Sequence, residues 1–272
     1  MSSPSSYSLV FAEYVGRPDL RSKMPLMSWG TKGEHGFDAS FLRRVHELHP
    51  DTTTLHNLTE HCPDPSAPDA AVLVVHAPKD MADAAFLEVR GLPFCDKTVN
   101  RGRLDNAKSR RTCYVASQCV ESDATTGQSA VRTWEQLPAC KAVRSLLHTL
   151  LGDNECDVAC ALFYPDIFKG GVSWHGDEER VKSLVMRLGH DHIHPLWFRF
   201  FKHSDPVSPP IPVQLRHGDI AIACKAAVGT DFKIRSRVTL RHATGHLNHP
   251  VPPLNREIKQ ARESKKRAND GV

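Results

Sequence analysis

The sequence predicts an α+β protein, mainly β, whose second half closes into a sandwich or barrel, and three observations carry that expectation. Short apolar or alternating runs at Ser183–Gly189, Pro195–Phe201, Val213–Ala223 and Arg235–His242 follow one another between clusters of Gly, Pro, Asp and His, which is the strand-and-turn signature. No amphipathic helix of useful length separates these runs, so the parallel α/β arrangement is disfavoured. A single helix precedes the series: in Ala139–Leu151, the side chains of Ala142, Val143, Leu146, Leu147, Leu150 and Leu151 share one side and would support the strands from outside.

Four stretches follow from composition along the chain. Residues 1–70 are a poorly patterned N-terminal extension rich in Ser, Pro, His and Asp, expected to be loosely ordered apart from a helix over Asp38–Leu48. Residues 71–137 form an N-terminal lobe that opens with a buried strand at Ala70–Val75 and a short helix at Asp80–Val89, and includes a polar loop at Ser117–Ser129. Residues 138–250 hold the strand series and the core. Residues 251–272 are a charged tail, helical or disordered over Asn255–Asn269. No internal repeat is apparent.

At 272 residues the chain can bury one substantial core with a small second lobe. It has no apolar run of about eighteen residues, so no membrane-spanning helix is expected. Met1–Ser6 lacks the charged and apolar regions of a secretory signal. The eight cysteines show no paired metal spacing, and Cys156 with Cys160 has no matching second pair. Reduced thiols and an intracellular place, nucleus or cytoplasm, are the expectation, with a monomer as the state. A formal net charge of +4 is too small to demand a nucleic-acid partner.

The densest chemical signal is Gly171-Val172-Ser173-Trp174-His175-Gly176-Asp177-Glu178-Glu179. Residues two apart on a strand point to the same side, so His175 and Asp177 would present an imidazole and a carboxylate together. These are two of the three groups of a facial two-His-one-carboxylate iron(II) site.

With the segments around it, this stretch resembles the catalytic domain of the AlkB-type 2-oxoglutarate- and iron(II)-dependent dioxygenases over residues 138 to about 245. The matching segments are Leu162-Phe163-Tyr164-Pro165-Asp166, Trp174-His175-Gly176-Asp177-Glu178, Leu188-Gly189, Trp197-Phe198-Arg199-Phe200, Gly218-Asp219-Ile220 and Arg235-Ser236-Arg237-Val238-Thr239-Leu240-Arg241, in the family's order. The resemblance implies a double-stranded β-helix (jelly roll) core with supporting helices. It also implies Fe(II) and 2-oxoglutarate as cofactors, dioxygen as co-reactant, and a DNA or RNA substrate from which an N-alkyl group on a base is removed by hydroxylation. Arg235 and Arg241 would anchor the distal carboxylate of 2-oxoglutarate, a role suited to a planar, permanently charged guanidinium, and Tyr164 would donate its hydroxyl to the same cosubstrate.

One element of the family pattern is missing. The second metal histidine usually lies shortly after the Gly-Asp strand, yet Val228–Ile234 contains none. His242 is the nearest downstream candidate. It follows Arg241 directly, so in a regular strand the two face opposite ways. Either Arg235 and Arg241 stay as anchors and His242 reaches the metal through a β-bulge, or His242 is the metal residue and the anchor moves to a later cation such as Arg256. Two more readings stay open: Asp231 is the ligand, or the site has no third ligand and no activity.

For substrate, the basic run Asn100–Tyr114 places Arg103 and Arg110 near Tyr114, so that the arginines would meet phosphates while the ring stacks on a base. Glu178 would contact the base edge or order a lid. A hydroxylase of protein or small molecules would share the iron chemistry without the nucleotide pocket, and a non-catalytic nucleic-acid-binding relative would follow from a missing histidine. His190, His192, His194, His203 and His217 fall in loops and are expected to be solvated.

Overall fold

The computed structural model describes residues 5–12, 35–100, 103–107, 109–152, 156–177, 180–189 and 195–245. In chain order the elements are β1 (Ser6–Ala12), α1 (Ala39–Leu48), β2 (Thr53–Asn57), β3 (Ala71–His76), α2 (Lys79–Arg90), β4 (Lys97–Asn100), β5 (Arg103–Asn106), β6 (Arg111–Ala116), β7 (Val131–Thr133) and α3 (Pro138–Leu151). The second half holds β8 (Val158–Tyr164), β9 (Val172–His175), β10 (Ser183–Leu188), β11 (Leu196–Lys202), β12 (Asp205–Pro206), β13 (Ile211–Val213), β14 (Asp219–Ala223), the single-turn α4 (Lys225–Val228) and β15 (Thr239–Thr244). The protein is mainly β with few helices, as the strand-and-turn pattern predicts.

The strands form two principal sheets. The major sheet has the order β2-β3-β14-β10-β1-β8-β6-β7, and the minor one runs β12-β11-β15-β9 with β13 paired to β11; β4 and β5 make a separate hairpin. Among the described residues, all strand pairings are antiparallel except β6 with β7. A cavity of about 710 Å³ is lined from both principal sheets, by Val10, Val185, Arg187 and Ala221 on one side and His175, Phe198, His242 and Thr244 on the other.

The N-terminal extension is where the sequence expectation fails most. Ser6–Ala12 is an interior strand of the major sheet, held between β10 and β8 over its whole length. Its two faces explain why. Leu9 and Phe11 are fully buried in the main apolar cluster, each worth roughly 1.5–3 kcal/mol of burial. Val10 and Ser8 face the cavity side, where Ser8 bonds a buried arginine. Because Ser6 and Ser8 are buried as well, the strand lacks the solvated polar face that marks a half-exposed strand in sequence. A boundary at residue 70 or 137 therefore divides no unit, because β1, β3 and β6 share one sheet with β8, β10 and β14.

The helices back the major sheet. α2 and α3 pack on each other, and the Glu88 carboxylate near the end of α2 accepts from the backbone N–H groups of Ala139 (2.8 Å) and Cys140 (2.9 Å). It thus satisfies orphan donors at the start of α3 and sets a negative charge on that helix's positive end. Trp134 stacks on Phe11 with centroids 6.2 Å apart, joining the entrance of α3 to the central strand.

Candidate metal centre

His175 ends β9 and stands directly opposite His242 on β15 in the cross-strand register, and the register shifts between His242 and Thr244. The extra residue lies on β9, where three steps from His175 to Val172 face two from His242 to Thr244, so no bulge on β15 brings His242 to the site. The two imidazole centroids are 4.3 Å apart. Asp177 lies two residues beyond His175, with Oδ1 3.6 Å from His175 Nε2 and Oδ2 3.7 Å from His242 Nε2. Ligand atoms bound at about 2.1 Å to one ion are separated by roughly 3–4 Å. Among the described residues, His175, Asp177 and His242 are the group of His, Cys, Asp or Glu side chains that could hold a metal ion.

Backbone carbonyls set both imidazoles. His175 Nδ1 lies 2.7 Å from the Ser173 carbonyl and His242 Nδ1 3.3 Å from the Ala227 carbonyl. A carbonyl only accepts, so each Nδ1 carries the proton and each Nε2 turns a lone pair toward Asp177. The next carbonyl along, that of Val228, accepts the Asp177 N–H at 3.1 Å. Consecutive residues of α4 therefore fix two of the three groups. The contact is close enough to need glycine: a Cβ on Gly176 would lie 2.0 Å from the Gly229 carbonyl oxygen, and Gly229 itself turns the chain at φ +73°.

The electrostatics suit ligation. Burial raises the Asp177 carboxyl, but Arg180, His242, His175 and Arg110 more than offset it, and the net position is below the ordinary carboxylate range. Burial pushes the His242 imidazole down to about 4, against the pull of Asp177. A carboxylate and a neutral imidazole are the forms a cation binds.

A second charged feature lies in the same cavity. Arg187, on β10 in the interior of the major sheet, is 4% exposed. Its guanidinium donates to Ser8 Oγ, to Thr244 Oγ1 at 2.7 Å, and is hydrogen-bonded with Tyr164. These partners are all hydroxyls, and Arg187 Nε has no hydrogen-bond partner among the described residues. Burial lowers the Arg187 pKa, with Tyr164 pulling the other way. A buried guanidinium facing neutral groups across a cavity is set to receive an anion.

The sequence-predicted residues sort clearly. The structure brings together His175, Asp177 and His242, and places Tyr164, Arg110 and Tyr114 on the wall of the same cavity. Arg235 and Arg241 do not line it. The strand starts only at Thr239, so Arg235 sits exposed in the preceding turn. Arg241 points to the face opposite His242, its guanidinium 4.4 Å from the Phe201 ring centre and 5.6 Å from that of Phe232. The one-residue alternation that separates it from His242 is the physical reason. Asp231 is away from the triad, paired with Arg237 at 3.1 Å. Arg103 is exposed on β5 and does not line the cavity. Glu178, Arg256, His190, His192 and His194 lie outside the described residues. His203 is exposed. His217, expected in solvent, has a side chain only 13% exposed and contacts Asp83 at 3.0 Å.

Sequence reasoning missed Arg187. It occupies an apolar strand pattern in which a lone arginine looks like a solvent-facing residue, and its partner Ser8 lies at the far end of the chain. Its one visible signal is position: Arg187 shares a face with Ser183 and Val185 on a strand whose other face, Leu184, Met186 and Leu188, is wholly apolar.

No protein-family model matches the chain. It is 29% identical over 164 residues to an uncharacterized protein of Acanthamoeba polyphaga mimivirus, a match that covers 60% of this chain and spans 64% of that protein's length. Among the described residues, no helix is long and apolar enough to cross a membrane.

Proposed function

We propose that the protein is an Fe(II)- and 2-oxoglutarate-dependent dioxygenase, acting inside the cell as a monomer on N-alkylated bases of DNA or RNA, with its two facing sheets forming a double-stranded β-helix. One observation supports this reading most: Arg187, buried among hydroxyls, stands over the strand that carries His242. Thr244, which bonds it, is two residues beyond His242, about 6.8 Å along an extended strand. A five-carbon diacid held at a metal by one end would bring its other carboxylate to that guanidinium.

His175, Asp177 and His242 would hold iron(II), leaving positions for cosubstrate and dioxygen. Iron with 2-oxoglutarate and dioxygen supplies the oxidation of a C–H bond, with the keto acid leaving as succinate and carbon dioxide. The chain's own part is to position and to exclude water. Arg187 anchors the cosubstrate carboxylate by a charge-assisted bond, Tyr164 and Thr244 orient the guanidinium, and Ala227 and Val228 hold the metal residues. Small apolar side chains at Val10, Val185, Ala221 and Ala223 keep the floor dry. Arg110 and Tyr114, on the wall nearest the β4–β5 hairpin, would meet the phosphate and face of a base taken out of its stack.

The test is succinate formation by the full chain with Fe(II) and 2-oxoglutarate, offered methylated oligonucleotides, peptides or free amino acids. Succinate and formaldehyde released together with oligonucleotides support the reading. Turnover with peptides or amino acids alone retains the iron chemistry and removes the nucleobase. A wild-type chain that binds no Fe(II) anaerobically sinks the oxygenase altogether.

A further inference from the structure

Arg180 follows Asp177 by three residues and turns back onto it, with its Nε 3.5 Å from Asp177 Oδ2, an ion pair rather than a hydrogen bond, and both side chains 11% exposed. We infer that Arg180 is a positioning residue that reserves Oδ2 of Asp177 from the metal, so that this carboxylate ligates through one oxygen only; the inference rests on the metal reading above.

The geometry makes such a device necessary. The two oxygens of Asp177 are placed almost equally, Oδ1 3.6 Å from one histidine nitrogen and Oδ2 3.7 Å from the other. Nothing in that symmetry prevents both from binding one ion. A chelating carboxylate would take a coordination position that the cosubstrate or dioxygen needs. A cation on Oδ2 breaks the symmetry, because that oxygen then spends its charge on the guanidinium.

Arg180 is well placed for the task. It lines the cavity on the side of Asp177 and Val228. Its low exposure strengthens the attraction relative to a surface pair, since fewer water dipoles screen it. Arg241, the cation of the metal strand, is unsuited because its guanidinium lies over Phe201 on the other face. Arg110 also acts on Asp177 but is exposed, so it adds field without fixing an oxygen. Arginine fits better than lysine here: its fork is planar and keeps a set direction where an ammonium would roam.

The experiment uses the full chain and cobalt(II) as an anaerobic spectroscopic stand-in, with Kd and visible absorption bands as readouts. Wild-type protein must bind cobalt(II) first; if it does not, the metal reading and this inference fall together. Given binding, Arg180→Gln is expected to tighten cobalt(II) about 10-fold, because a repelling cation is gone and the second carboxylate oxygen is free to bind. The bands should shift as the carboxylate takes a second position. Arg180→Lys is expected to return Kd part of the way to the wild-type value, with bands between those of the wild type and Arg180→Gln. Wild-type Kd and bands in Arg180→Gln would overturn the inference while leaving the metal site intact. Should Arg180→Gln not fold, Arg180→Met keeps the length and stem packing without the charge, and the same two outcomes decide.

Discussion

Arg187 on β10 donates to Thr244 Oγ1 at 2.7 Å, and Thr244 lies on β15 two residues from the imidazole of His242. The bond ties the major sheet to the minor one on the wall of the shared cavity. It also holds a buried cation whose other partners are the hydroxyls of Ser8 and Tyr164. Keeping such a charge without an anion costs the folded protein free energy. Arg187→Met is therefore expected to change the Tm of the ligand-free protein little, because relief of the buried charge is offset by the hydroxyls of Ser8, Thr244 and Tyr164 losing their donor, about 1–3 kcal/mol for a group left unsatisfied. 2-Oxoglutarate is expected to raise the Tm of the wild type and not that of the variant, while metal affinity changes little. Thermal unfolding with and without 2-oxoglutarate checks both. A variant still stabilised by the keto acid would remove Arg187 as its anchor.

Legibility in the sequence follows the range of the interactions. His175 and Asp177 are visible because a strand's alternation is local, and His242 because it is the next imidazole on an adjacent run. The helices at Ala39–Leu48, Lys79–Arg90 and Pro138–Leu151 are visible for the same reason, through apolar faces repeating within each segment. Arg187 is not, since its role exists only when Ser8 and Thr244, 179 and 57 residues away, are brought beside it. The same limit conceals β1, whose burial on both faces depends on strands from the other half of the chain. Arg235 is misplaced when the closing strand is taken to begin there, because pairing starts only at Thr239.

The choice of third metal residue can be settled by composition alone. His242→Ala and Asp177→Ala are each expected to leave less than about a tenth of the wild-type iron(II) or zinc(II) bound after dialysis, because removal of one of three ligands opens the site. Asp231→Ala is expected to bind as wild type does, since Asp231 is committed to Arg237 at 3.1 Å. Metal content per chain is the measurement. Loss on Asp231→Ala with retention on His242→Ala would reverse the assignment.

The thiols divide by burial. Cys119 is exposed, whereas Cys113 and Cys140 are fully buried. Burial, with Cys160 adding to it, pushes the Cys113 thiol up to about 12, and burial with Glu88 also raises Cys140. The thiolate is the reacting form, so iodoacetamide near pH 8 is expected to modify Cys119 first and to spare Cys113 and Cys140 until the chain unfolds. The sign for stability follows. A thiol whose folded pKa is raised stabilises below its unfolded value of 9.0 and loses that contribution as the pH climbs toward 12. Cys113→Ala is thus expected to flatten the fall of Tm between about pH 9 and 11. Mass spectrometry of labelled peptides and an alkaline unfolding series check the two statements.

Gly176 ties the segment that carries His175 and Asp177 to the backbone behind it. A methyl group there would lie 2.0 Å from the Gly229 carbonyl oxygen and 2.8 Å from Phe232 Cδ1. Gly229 cannot give way freely, because its φ of +73° suits glycine and a Cβ on it would approach the Leu240 carbonyl at 2.6 Å. The segment from His175 to Asp177 would have to lift instead, breaking the bond from the Asp177 N–H to the Val228 carbonyl. Gly176→Ala is accordingly expected to cost about 1–3 kcal/mol of stability from overpacking. It should also weaken metal binding by more than Gly91→Ala, whose added methyl meets nothing closer than 3.5 Å. Thermal unfolding in chelator separates the stability cost from the ligation cost, which a metal titration of the folded variant then measures. Wild-type metal affinity in folded Gly176→Ala would show that the triad does not depend on α4 for its placement.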